Sequence, residues 1–235
     1  MSKFYAIISG VGSGTGAATA LRFSQSYTTI LLARQPSNYE PVVAQITEAG
    51  GRAIGIATDL SDPKSVDAAF AQIEKELPDH QLAAVVFNAH SGWARKPFLE
   101  LGLEDLRVSL ATSTPSPNSS PPSPQPPTPS LIVTGATASL RGSAYFSTFA
   151  AGKFAQRAIT QSLAREFGPK GVHVALAVID GGIDTPWQKD RVVNDGVEDG
   201  KLKPEAIADS YWHLHTQHRS SFTQELDLRP YVEKF

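Results

Sequence analysis

The chain has 235 residues, of which 21 are basic, 23 acidic and none cysteine. That length suits one α/β unit with a sizeable core, 1–235, and is short for two. Near-balanced charge removes the electrostatic case for a nucleic-acid or anionic-membrane partner, and the missing cysteines exclude a disulfide framework or a thiolate-bound metal.

In chain order, FYAIIS (4–9) is a short apolar run leading straight into glycines, which reads as a strand and not a signal peptide. Further runs follow at TTILLA (28–33), RAIGIA (52–57), LAAVVFN (82–88), SLIVTG (130–135) and VHVALAVI (172–179). Most are continuous and not alternating, as expected of strands buried on both faces of a parallel sheet. None approaches the ~20 residues of a membrane span, so a soluble, cytoplasmic protein is expected. Helical segments lie between the runs. ATALRFSQ follows the first, and PVVAQITEAGG follows the second, stopped by Gly50 and Gly51. SDPKSVDAAFAQIEKEL follows the third, with Asp62 as N-cap and Pro63 at the first helical position. SAYFSTFAAGK (143–153) falls in the middle of what reads as a long amphipathic helix. Ile207, Tyr211 and Leu214 form a core-facing stripe on another, and TQELDLRPYVEKF supplies the last strand and a tail. The alternation predicts an α/β fold: a Rossmann-type, doubly wound parallel sheet in three layers.

One stretch interrupts it. TSTPSPNSSPPSPQPPTPS (112–130) holds eight of the 17 prolines and no large apolar side chain. An interior proline costs a helix ~3 kcal/mol, so polyproline or irregular chain is expected where a sheet-covering helix belongs. Expected length with foreign composition reads as a reading-frame or splicing artefact ahead of a genuine loop.

SGVGSGTG closes the first strand and opens the first helix, spacing Gly10, Gly14 and Gly16 as G-x-x-x-G-x-G. Glycines at such a turn let backbone approach a pyrophosphate, which the helix N-terminus then stabilises. With this loop in place, the sequence resembles the short-chain dehydrogenase/reductase family over nearly its whole length. Asp59-Leu60 matches the family's adenine-contacting acidic site, and Asn88-Ala89 its N-A-G element, with His90 for the glycine. DGGIDT matches its P-G-x-x-x-T loop, which holds the nicotinamide carboxamide; Asp180 replaces the proline while Gly181, Ile183 and Thr185 are retained. At the end of the second strand Ala33-Arg34 offers no carboxylate for a ribose 2′-hydroxyl, so NADP is expected in preference to NAD.

The catalytic residues depart from the family. The resemblance implies Asn, Ser, Tyr and Lys; here Ser109 stands for the asparagine and Thr137, or less well Ser139, for the serine. Phe149 stands for the tyrosine, and only Lys153 is unchanged. Losing a positioned general acid costs ~10²–10⁴ in rate. Tyr145, His90, Lys153 itself, or bound ribose and water are candidate replacements. Residues 184–203 occupy the place of the family's mobile substrate lid. His213, His215 and His218 are close in sequence, but the first two point ~200° apart on a helix, so no metal site is expected. The expectation is an NADP-dependent oxidoreductase with an altered site for a small carbonyl or alcohol. The second reading is a non-catalytic NADP-binding sensor or partner subunit. With the family's dimer helix disrupted, a family-type homo-oligomer is not expected.

Overall fold

The structure, a computed structural model, describes residues 2–90, 92, 94–111 and 128–234. Its frame is a seven-stranded sheet in the order β3-β2-β1-β4-β5-β6-β7. The strands are β1 (Phe4–Ser9), β2 (Thr28–Ala33), β3 (Ala53–Ala57), β4 (Gln81–Phe87), β5 (Ser130–Ala136), β6 (His173–Ile179) and β7 (Glu225–Leu228). Every neighbouring pair is parallel. β2 and β6 are buried along their whole length, which is why their sequences are continuous apolar runs.

The helices are α1 (Thr15–Ser24), α2 (Pro36–Glu48), α3 (Pro63–Glu76), α4 (Leu103–Ala111), α5 (Ser147–Phe167) and α6 (Pro204–His215). On one face of the sheet, Phe23 of α1, Val42 and Ile46 of α2, and Ile207, Tyr211 and Leu214 of α6 share a core with Ile8, Leu31, Val86 and Ile132. On the other, Ala69 and Ile73 of α3 pack with Ile7, Ile30 and Ile56. α5 pairs with α4 and lies along β5 and β6. The Asp62 carboxylate caps α3, accepting from the Lys64 N–H at 3.0 Å.

Two helix starts differ from the sequence reading. α2 begins at Pro36, ahead of the PVVAQITEAGG segment, and contains Pro41 near its start. Pro36 at the first turn has the fixed φ a helix needs there, and Pro41 forfeits one backbone bond close to the N-terminus. α5 begins only at Ser147, so residues 143–146 are not helical. The Phe146 N–H closes a turn on the Ser143 carbonyl at 3.1 Å, and Tyr145 sits at φ 68, a left-handed conformation that no right-handed helix contains. The proline-rich reading of 112–130 falls outside the described residues over 112–127.

One of the two α6 histidines serves the core. His215 is buried, with Nδ1 2.7 Å from Ser130 Oγ and Nε2 2.9 Å from the Tyr27 hydroxyl. His213 lies on the exposed side against Gln217. Both ring nitrogens of buried His173 meet backbone carbonyls, of Leu214 at 2.9 Å and Thr223 at 2.8 Å.

Phe23 is fully buried and packs edge-on against Trp212, joining α1 to α6. Phe23→Ala is expected to lower unfolding free energy by ~3–5 kcal/mol in urea denaturation. A loss below ~1 kcal/mol would show that this face is not the main core.

Candidate active site

β1 has β2 on one side and β4 on the other, so the chain leaves it in opposite directions and a crevice opens beyond the strand ends. Gly10 makes the crevice possible. Its φ is +80, and a Cβ there would stand 2.6 Å from both Cα and N of Ala89. Asn88 fastens the contact, donating its side-chain amide to the Gly10 carbonyl at 3.0 Å and its backbone N–H to Ser9 at 3.0 Å. A Cβ at Gly16 would meet the Gly10 carbonyl at 2.6 Å, so this glycine lets α1 start directly against the turn. Gly14 is the N-cap of α1 and has no side chain to satisfy the first N–H groups. Thr15 and Thr185 each have a buried hydroxyl with no hydrogen-bond partner among the described residues.

The resulting cavity, about 780 Å³, is lined by Gly10, Gly14, Gly16, Arg34, Asp59, Leu60, Asn88, Thr137, Lys153, Ile183 and Thr185. The residues singled out in the sequence for cofactor contact are thus brought into one wall system. Arg34 is exposed and makes no ion pair among the described residues. The Asp59 carboxylate turns back to accept from the Ser61 N–H at 2.9 Å and Ser61 Oγ at 2.6 Å, and these bonds hold it below the usual carboxylate range. Asn38 and Thr58 line the same region and carried no signal in the sequence.

At the reaction end, Lys153 Nζ donates to the Thr134 carbonyl at 2.8 Å and to Gln156 Oε1 at 2.9 Å. Burial pushes its ammonium down to about 8. Phe149 meets the His90 ring edge-to-face at 5.4 Å between centroids. His90 is walled by protein yet open to the cavity; desolvation, then the charge of Lys153, lowers its pKa to about 4. The Thr137 hydroxyl donates to Asp180 at 2.5 Å, and the Arg229 guanidinium lies 3.5 Å from the other oxygen of that carboxylate. Ser139 turns inward, its hydroxyl accepting from the Ala136 N–H at 3.1 Å. Ser109 donates to the Thr148 carbonyl, binding α4 to α5 beside Phe149. Tyr145 is 55% exposed and does not line the cavity.

Residues 184–203 contribute Trp187, Gln188, Arg191, Val193 and Asn194 to the cavity lining. Ile183 bridges to Leu202, and Lys201 donates to the Gln188 carbonyl at 2.9 Å. Glu233 of the tail accepts from the Asn194 side chain at 2.8 Å. Neither Gln156 nor Glu233 was legible in the sequence as a site residue: one is a polar residue on a helix, the other lies in a tail.

Residues 5–195 match the profile of the short chain dehydrogenase family. Over 186 residues the chain is 30% identical to the short-chain reductase protein NovJ of Streptomyces niveus, covering 77% of this chain and 70% of that protein. The chain belongs to the short-chain dehydrogenase family. A short-chain dehydrogenase from Rhodopseudomonas palustris superposes with a TM-score of 0.70 at 28% identity, covering 98% of this chain and all of that one. A short-chain dehydrogenase from Burkholderia cenocepacia, solved in complex with NADP, has the same fold with a TM-score of 0.80 at 22% identity and 98% coverage of both chains.

Desolvation, with the charge of Lys153 adding to it, disfavours the charged form of the imidazole at 90. Its C–H resonances followed by NMR are expected to titrate with a midpoint near 4. A midpoint near the ordinary ~6.5 would mean the ring is fully hydrated and free of the lysine's field.

Proposed function

We propose that this short-chain dehydrogenase is an NADP(H)-dependent oxidoreductase acting on a small carbonyl or alcohol, at a site rebuilt around Phe149. The observation that carries the reading is that Lys153 and the uncapped N-terminus of α1 line one cavity, so a dinucleotide seated on the helix reaches the buried ammonium. The cavity fits such a cofactor: glycines leave backbone open where a Cβ would clash, and the hydroxyls of Thr15 and Thr185 lack partners.

When bound, the nicotinamide exchanges the hydride. The chain's own residues do the rest. The first N–H groups and dipole of α1 hold the diphosphate. Arg34 pairs with the 2′-phosphate, which no carboxylate at the end of β2 repels. Asp59 and Leu60 border the adenine, Asn88 fixes the turn beneath the cofactor, and Ile183 and Thr185 hold the carboxamide end. Lys153 borders the nicotinamide ribose. His90, Phe149 and Trp187 give a largely aromatic wall for a small substrate. Thr137 presents hydroxyl lone pairs only, because its proton is given to Asp180.

That last contact favours a second reading. With Phe149 unable to donate and Thr137 committed, the chain would bind NADP as a non-catalytic sensor or partner subunit. Tight NADPH binding without turnover across a broad carbonyl and alcohol panel separates the two.

NADPH is expected to bind more tightly than NADH in calorimetric titration. Arg34→Ala should remove most of the difference, a change of roughly 10- to 100-fold for a charge-assisted contact of ~1.5–3 kcal/mol. Equal affinity for the two cofactors in the unaltered protein would exclude the assignment to NADP.

A further inference from the structure

The geometry points to Lys153 as the proton donor of this site, with Gln156 as the residue that aims it. The inference rests on the oxidoreductase reading for its reaction, and it assigns the proton that the missing tyrosine hydroxyl would have carried.

Lys153 and Gln156 lie three residues apart on α5, hence on one face, and both are buried, at 6% and 0% exposure. An ammonium has three N–H donors. Two are fixed, on the Thr134 carbonyl of β5 and on Gln156 Oε1. The third has no hydrogen-bond partner among the described residues, and Lys153 lines the cavity. A neutral amine keeps two N–H groups and gains a lone pair. The same two acceptors therefore satisfy both protonation states, and only the third vertex changes between donor and acceptor. A proton leaves and returns at that vertex without any side chain moving.

Gln156 is an unexpected residue for its place. Its Oε1 accepts from the lysine while its Nε2 is buried with no partner among the described residues. An unmet buried donor is a cost to stability that leucine or methionine would avoid. An amide also cannot titrate, so it orients the ammonium without pinning it in the charged form, as a carboxylate would.

The groups around the ammonium agree. His90, after β4, faces it as a neutral ring. Asp180, at the end of β6, is engaged by Thr137 and Arg229, and no carboxylate pairs with Nζ among the described residues. Burial then brings the lysine to about 8, within reach of neutral pH. Phe149 has no proton to give, and Tyr145 stands outside the cavity wall.

In the reducing direction, hydride from the dihydronicotinamide joins the carbonyl carbon and the C=O π bond breaks. Its electron pair moves to oxygen, which takes a proton from Nζ. The carbonyl is reduced, the dihydronicotinamide oxidised, and the neutral amine recovers a proton from solvent. Oxidation of an alcohol runs the same transfers backwards, with the neutral amine as base.

The test combines NMR titration of isotope-labelled lysine in the cofactor-free protein, assigned with Lys153→Arg, with the pH profile of kcat for NADPH-dependent carbonyl reduction. The wild-type lysine midpoint is expected near 8, with reduction falling as pH rises through it. Gln156→Leu removes an acceptor of the charged form and should lower both midpoints by about one pH unit. Gln156→Glu supplies a charge and should raise both, so the two variants move in opposite directions whatever either does to stability. NADPH affinity of both variants should stay within about threefold of wild type, since Gln156 does not line the cavity. A lysine midpoint unmoved by both substitutions overturns the positioning role. A lysine midpoint that moves while the kinetic limb stays overturns proton donation. Absence of turnover in the wild type despite NADPH binding overturns the oxidoreductase reading, and the donor with it.

Discussion

The contact between Gly10 and the Ala89 backbone is the constraint from which the site follows. Only a residue without a Cβ, at positive φ, lets the β1–α1 turn lie against the end of β4. That approach sets where α1 begins, directs its unsatisfied N–H groups into the crevice, and places Asn88 to lock the turn through the Gly10 carbonyl. The parallel sheet beneath is what makes the constraint useful, since all seven strands deliver their C-terminal loops to the same edge. Residues far apart in sequence, Arg34, Asp59, Thr137, Lys153 and Thr185, therefore share one cavity.

At Lys153 the electrostatics are set by burial and not by ion pairing. Lys153 is held by two neutral acceptors, and its ammonium is destabilised by lost hydration. Desolvation, with the charge of Lys153 adding to it, lowers the pKa of His90, and its ring meets Phe149 edge-to-face. Phe149, His90 and Lys153 thus line one stretch of the cavity wall. Thr137 and Asp180 form a separate polar pair in the cavity wall, steadied by Arg229.

Much of this was legible in the residues. Strands buried on both faces announce themselves as unbroken apolar runs, and β1, β2, β4, β5 and β6 fall within a residue of their expected bounds. Asp62 followed by Pro63 marked a helix start through capping chemistry alone. The start of α5 was not legible, because nothing in SAYF signals that Tyr145, a residue with a Cβ, adopts a left-handed conformation. Pattern reading likewise placed Ile207, Tyr211 and Leu214 in the core but could not show that His215 turns inward to Ser130 and Tyr27. Gln156 was missed for a related reason. A polar residue on a helix reads as solvent-facing until its neighbours in space are known.

The most direct test is the crystal structure of the protein grown with saturating NADPH. The expected complex has the diphosphate at hydrogen-bond distance, ~2.7–3.2 Å, from the first N–H groups of α1. The 2′-phosphate should lie at the Arg34 guanidinium, and the nicotinamide end between Thr185 and Lys153. Cofactor bound with its 2′-phosphate directed away from Arg34, or a crevice left empty under saturation, would contradict the account.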